Sequence, residues 1–515
     1  MRPGIAEGYA MWIRQLIGMM LLMGHPLLIA VEPLSPGKAE AAMGPGLSDS
    51  AGTVAALDGN SSLSQSTGPF ELAPDPAMGS LEYRLAELEE ELAQSQQRIE
   101  SLEGTRLQAE KKASTFPNVA INGVFQADGV AFNQTDASRE VYGRIESGAD
   151  FRRARLSAKG AVAPQMDYFL QMDFGFFGRP TFTDVWADFK EAGPLGTVRV
   201  GQWKQPFSLE VVSSFRYTTF MERSSLFQAF TPFRHLGIGF YDHAEDLSAT
   251  WAASYFRTGQ DQFGGSLSTD GGHGLAGRLT QLAWYDDDGD DYLHLGGGYF
   301  LNAPPKELRR YRSIPEIFVG EFVVPIGQPI GTSGVPVPDV ANGTPYFVDT
   351  GTLLGTSLAQ TFGLESLWVR GPLSWQSEAM GSFVDTSTVG NSFLWGAYSQ
   401  VGLFLTGEYR PYDRKTATID RVIPRHPFPS HGGWGAWEIA GRWSFTDLSD
   451  GQIVGGELQN FTAGLNWYVN PYCKCVFNYI HAWATARPIR NGVILGDHLI
   501  DSQTDAFGIR CQLDF

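Results

Sequence analysis

The sequence predicts an all-β transmembrane barrel of about sixteen antiparallel strands, preceded by a short α-helical coiled coil. Three observations carry that prediction. In Asp505 to Phe515, the residues Phe507, Ile509, Cys511, Leu513 and Phe515 alternate with Ala506, Gly508, Arg510, Gln512 and Asp514. A strand sends successive side chains to opposite faces, so one face is apolar and the other holds both charge signs. That suits a wall with lipid outside and water inside, although a soluble sandwich strand alternates too. Second, segments of about ten residues with this pattern recur from Val119 onward between clusters of Gly, Pro, Asp and Asn. Third, nothing past residue 31 reaches the roughly 18 apolar residues of a helical span. Aromatics nevertheless make up 13% of the chain, charged residues only 18%, and there are 60 glycines. Aromatic girdles would use such a composition.

The elements follow in order. Arg14 precedes Leu16-Ile17-Gly18-Met19-Met20-Leu21-Leu22-Met23, apolar character resumes at Leu27 to Val31, and small residues follow at Ala39, Ala41 and Ala42. This reads as a secretory signal peptide over residues 1–42, because His25 and Pro26 interrupt a run already too short for an anchor. Residues 43–79, rich in Gly, Ser, Ala and Pro, read as a disordered linker. Over 80–112, Leu81, Leu85, Leu88, Leu92, Ile99 and Leu102 recur at steps of four and three, with Ser95 filling one slot. So narrow a stripe in a Glu- and Gln-rich segment predicts a helix that associates with copies of itself, and leaves dimer and trimer open.

Residues 117–515 read as the barrel. Arg153, Arg155, Ser157 and Lys159 alternate with Ala154, Leu156 and Ala158, while Arg152 falls on the lipid side of this register. Asp167, Phe169, Gln171 and Asp173 alternate with Tyr168, Leu170, Met172 and Phe174. Asp184, Trp186 and Asp188 alternate with Val185, Ala187 and Phe189, and Thr197 and Arg199 with Val198 and Val200. Further strands are expected at 119–127, 237–243, 247–256, 275–285, 292–300, 315–323, 361–370, 373–384, 395–408, 436–446, 456–468, 474–484 and 505–515. So many inward charges would destabilise a dry sandwich by several kcal/mol each but cost little in a wet lumen.

The net charge of −18 argues against a nucleic-acid partner. The nine histidines are scattered, no nucleophile-elbow, zincin or phosphate-loop pattern occurs, and the sequence calls for neither catalysis nor a cofactor. Asp286-Asp287-Asp288-Gly289-Asp290-Asp291 lacks the EF-hand order and reads as a hairpin tip. Pairing 474–484 with 505–515 puts Cys475 opposite Cys511 on the apolar side, so a disulfide or three free thiols both fit. No histidine completes a metal site beside them.

Four stretches carry a family resemblance: Asp150-Phe151-Arg152-Arg153-Ala154-Arg155-Leu156; Val200-Gly201-Gln202-Trp203-Lys204-Gln205-Pro206-Phe207-Ser208-Leu209-Glu210; Thr219-Phe220-Met221-Glu222-Arg223; and Phe233-Arg234-His235-Leu236-Gly237-Ile238. Together they resemble the phosphate-selective porin O and P family of Gram-negative outer membranes. The resemblance implies a sixteen-strand barrel, usually a homotrimer, set in outer-membrane lipid and passing small anions such as phosphate or polyphosphate. It implies that the loop around 207–235 folds inward, that Arg223 lines the pore, and that Ser213 and Ser214 match a polar pair in that loop. Arg152 and Arg153 match a paired arginine on an early strand. Val211-Val212 stand near where phosphate-specific members carry a lysine, a departure that bears on phosphate selectivity.

The basic residues Arg153, Arg155, Lys159, Arg199, Lys204, Arg216, Arg223 and Arg234 admit two readings. They can line a constriction that attracts anions, or they can simply neutralise Asp167, Asp173, Asp184 and Asp188. The basic segments 304–314 and 410–426 are expected in external loops, as is the Pro-rich 324–345 stretch. The rival to a channel is a structural barrel whose heptad helix tethers the outer membrane to the cell wall.

Overall fold

The computed structural model describes residues 116–515 apart from 176–180, 260–271, 287, 321–342, 430–431 and 491–492, together with helical positions 88, 92, 94–96 and 98–99. The chain divides into two units, Met1–Ala93 and Gln94–Phe515. In the first, Leu88 and Leu92 are helical and exposed; in the second, so is Ile99. The expected signal peptide, the linker, the Pro-rich stretch from 324 to 342, and most of the 80–112 helix lie outside the described residues.

Sixteen antiparallel strands close into a barrel. They are β1 (Ala120–Gln134), β2 (Gly148–Ala163), β3 (Met166–Asp173), β4 (Thr181–Phe189), β5 (Thr197–Lys204), β6 (Arg234–His243), β7 (Ala249–Arg257) and β8 (His273–Tyr285). Then come β9 (Asp291–Ala303), β10 (Thr356–Arg370), β11 (Leu373–Thr386), β12 (Gly390–Phe404), β13 (Ala436–Asp450), β14 (Ile453–Asn470), β15 (Cys473–Ala486) and β16 (Ile500–Asp514). Neighbours in sequence pair throughout, and β16 closes on β1 with Val124 opposite Asp514 and Gln134 opposite Thr504. The final strand behaves as its alternation requires. Phe507, Ile509, Leu513 and Phe515 are exposed on the outer surface, while Arg510, Gln512 and Asp514 are buried inside.

Most turns at the end of the barrel holding Ala120 and Asp514 are short, which marks that end as periplasmic and the long-looped end as external. The 286–291 segment is a hairpin tip there, its Asp286 Oδ1 accepting from the backbone N–H groups of Gly289, Asp290 and Asp291 at 2.7, 3.1 and 3.2 Å. Cys475 faces Cys511 as the alternation implied, with all three cysteines present as free thiols.

Three expectations need correction. Residues 315–320 form no strand; they run inside the barrel, where Glu316 and Ile317 are fully buried. Residues 410–426 are not external, because they join β12 to β13 at the periplasmic end. Arg152 does not face lipid. Gln126 pairs with Arg153 but Ala127 pairs with Phe151, so Arg152 is the extra residue of a β-bulge. A bulge re-aims a side chain, and here it turns both Arg152 and Arg153 inward onto Glu222.

Candidate functional site: an infolded loop and its arginine cluster

Residues 205–233 leave β5 at the external end and cross the lumen. Two short helices shape the segment, α1 (Leu209–Val212) and α2 (Leu226–Phe230). Its large apolar side chains, Phe207, Leu209, Phe220, Met221, Leu226 and Phe230, are all buried. Inward-facing glycines make room for them. A Cβ at Gly298 or Gly363 would come within 2.8 or 2.9 Å of the Phe207 ring, and one at Gly508 within 2.6 Å of Met221 Sδ. These glycines are therefore wall positions cut away for the loop.

Polar anchors fix the loop to the far wall. Met221 N–H donates to Asn478 Oδ1 at 2.8 Å, and Asn466 Nδ2 donates to the Thr219 carbonyl at 2.8 Å. Glu210 receives Arg442 at 3.3 Å, and Arg442 also pairs with Glu316 from the 304–355 loop. Glu222 lies 2.8 Å from Arg152 and 2.8 Å from Arg510, with Arg153 at 3.6 Å. Burial alone would raise the Glu222 carboxyl, but those three guanidiniums outweigh it and hold the group well below the usual carboxylate range. Burial raises Glu210, with Arg442 and Arg223 opposing it only in part.

The structure gathers most of the predicted basic residues around this loop. The guanidiniums of Arg153, Arg155 and Arg216 sit 4.8, 4.6 and 5.3 Å from the ring centre of the buried Phe215. Aromatic faces attract such cations. Arg155 pairs with Asp173 at 2.7 Å, Arg234 with Asp184 at 2.7 Å, and Arg216 with Asp514 at 3.6 Å. Lys204 Nζ donates to the carbonyls of Val211, Val212 and Ser213 at 2.8, 3.2 and 2.7 Å. Arg223 donates to the Glu210 carbonyl at 2.8 Å and to the Ser213 carbonyl at 3.2 Å. Both cations thus close the carbonyl end of α1. Burial pushes the Arg223 guanidinium down to about 10, which leaves it charged at neutral pH.

Two residues stand apart. Arg199 pairs with Asp188 at 2.7 Å and lies 3.7 Å over Trp186, nearer the periplasmic end. Lys159 is exposed near the periplasmic end of β2, and Asp167 pairs with Lys190 at 3.1 Å. Ser214 Oγ accepts from Arg216 N–H within the loop.

Ser213 shows what reasoning along the chain missed. Its hydroxyl accepts from Ile419 N–H at 3.0 Å, and Ile419 belongs to the long periplasmic connection 405–435. This strap carries a small ladder, Tyr412–Asp413 against Thr418–Ile419. Tyr412 OH lies 2.7 Å from His294 Nδ1, and Arg278 donates to the Ala417 carbonyl at 2.9 Å. Arg410 binds Glu438 and donates to the Tyr217 carbonyl, while Arg421 binds Asp514. The strap therefore enters from one end of the barrel and meets the loop that enters from the other. Arg442, Arg510, Glu222 and Glu316 were also missed as anchors. Inward strand parity marks the two arginines, but nothing in the local sequence names their partners.

A closed barrel with an apolar outer surface, a charged inner wall and loops folded across its lumen is an outer-membrane channel architecture. The chain belongs to the family described as phosphate-selective porin O and P, whose profile matches residues 119–515. A curated relative from Caulobacter vibrioides, an uncharacterized protein, is 26% identical over 407 residues, covering 76% of this chain and 74% of that one. Among solved structures, the chain is similar to the anion-selective porin from Comamonas acidovorans at 11% identity and TM-score 0.44, covering 77% of this chain and 99% of that one. It is also similar to the outer membrane channel DcaP of Acinetobacter baumannii, at 10% identity and TM-score 0.40 over 77% and 97% of the two chains.

Proposed function

We propose that this channel passes small anions passively, with phosphate and polyphosphate as candidate solutes, along the arginine cluster of the infolded loop. One observation carries the reading. Arg152, Arg153, Arg155, Lys204, Arg216, Arg223 and Arg234 converge where Glu222, Asp173, Asp184, Asp514 and Glu210 are the facing carboxylates. The cations outnumber the acids there although the whole chain carries −18. A low-dielectric wall focuses such a local excess, and lumenal guanidiniums then attract anions and repel cations.

The reading is tested by reversal potentials in a salt gradient across planar bilayers. Wild type is expected to prefer anions. Arg216→Ala removes a partly accessible cation whose pairing distance is long, and Arg223→Ala removes the charge behind Ser213. Each is expected to lower the anion-to-cation permeability ratio roughly two- to fivefold. Cation preference unchanged across all three proteins would reject the anion path and leave the channel standing.

We further propose export by the 1–42 signal and assembly as a homotrimer supported by the 80–112 helix, whose exposed Leu88, Leu92 and Ile99 follow the heptad stripe. Deleting 80–112 is expected to shift cross-linked species from trimer toward monomer while conductance persists. Envelope detachment with the trimer intact would favour the cell-wall tether instead.

A further inference from the structure

Three thiols gather on the outer face of the last hairpin. Cys473 opens β15 immediately after the periplasmic turn, Cys475 follows on the same face, and Cys511 lies directly across from Cys475 on β16. The Cys511 thiol is within hydrogen-bonding reach of both Cys473 and Cys475. Cys511 is exposed and the other two are half-buried, so all three lie at the outer surface of the barrel. Among the described residues, no group of His, Cys, Asp and Glu has an arrangement able to hold a metal ion.

We propose that Cys475 and Cys511 form a cross-strand disulfide in the assembled protein, with Cys473 as the remaining free thiol. Directly opposed strand positions bring Cβ atoms to about 4.5–5.5 Å, close to the 3.5–4.5 Å that a disulfide spans. The oxidant is a protein disulfide of the cell envelope, so the proposal rests on the outer-membrane location. The Cys475 thiolate attacks one sulfur of that disulfide and displaces the other as a thiolate. The Cys511 thiolate then attacks Cys475 Sγ and displaces the oxidant's second sulfur. The two cysteines lose two electrons, the oxidant gains them as two thiols, and the two protons released by Cys475 and Cys511 end on those thiols. The product staples β15 to β16, the strand that closes the barrel on β1.

The sequence makes the test unambiguous. Trypsin cuts after Lys474 and Arg510, and Arg487 is followed by Pro488, so the three cysteines fall on separate peptides: 443–474, 475–490 and 511–515. Full-length protein is to be taken from the outer-membrane fraction, unfolded in N-ethylmaleimide without reductant, and digested. A linked pair of 475–490 with 511–515 is expected, with the single adduct on 443–474. Dithiothreitol before alkylation should give three adducts. Cys473→Ser should keep the link and Cys511→Ser should abolish it. Three adducts without reductant, or a link through 443–474, would overturn the proposal while the channel reading stands. Recovery of the chain only from the cytoplasm, fully reduced, would overturn the location and this proposal together.

Discussion

Glu222→Ala is expected to release the infolded loop from the wall and raise single-channel conductance severalfold. Among the described residues, the substitution leaves Arg152, Arg153 and Arg510 facing one another with Asp128 as their remaining ion-pair partner. Removing one partner of a buried ion pair costs about 3–5 kcal/mol. The strand ladder does not run through Glu222, so the barrel itself should persist. Trypsin cleavage at Arg216 and Arg223 is expected to become rapid, while the wild-type loop is protected. The pH dependence has a definite sign. Glu222 is depressed in the folded protein, so its contribution is present above its unfolded value of about 4.3 and is lost only as pH falls through the much lower folded value. Wild-type conductance should therefore hold to about pH 4, and opening through this anchor belongs to stronger acid. A Glu222→Ala channel with wild-type conductance and a protected loop would refute the anchor.

Replacing Tyr409 to Val422 by a short Gly-Ser turn is expected to give the second large effect. Strap and loop share the Ser213 to Ile419 hydrogen bond and the Arg410 to Tyr217 contact. Removing the strap strips one layer from the periplasmic half of the lumen and exposes His294, Arg278 and Glu365 on the inner wall. Conductance should rise at least twofold, since the obstructed cross-section falls while the wall stays in place. In combination with Glu222→Ala the two increases should not simply add, because the elements touch. Unchanged conductance after the replacement would mean that solutes bypass the strap.

Legibility along the chain varied by element. The strands were readable because their signal is local: Arg510, Gln512 and Asp514 alternate with Ile509, Cys511 and Leu513, and the fold keeps that order. The same regularity placed Cys475 opposite Cys511. It failed at Arg152, where a bulge breaks the period of two. It failed again over 315–320, where Ile317 and Val319 pack with Met221 of the infolded loop instead of joining the wall. The segment 410–426 misled for a different reason, since its basic, Pro-containing composition is equally at home at either end of a barrel. Inward charges were expected to face water. Instead many are buried in pairs, because the loops they hold displace that water.

By itself the sequence determined the barrel, which face of the last hairpin meets lipid, and the family. All of these rest on side-chain alternation and short motifs that the covalent chain imposes within a few residues. Only the tertiary structure decided which carboxylate each arginine serves. Arg510 reaches Glu222 across 288 residues of sequence and Arg442 reaches Glu210 across 232. Such pairings exist only once sixteen strands have closed and brought opposite walls within reach of one loop.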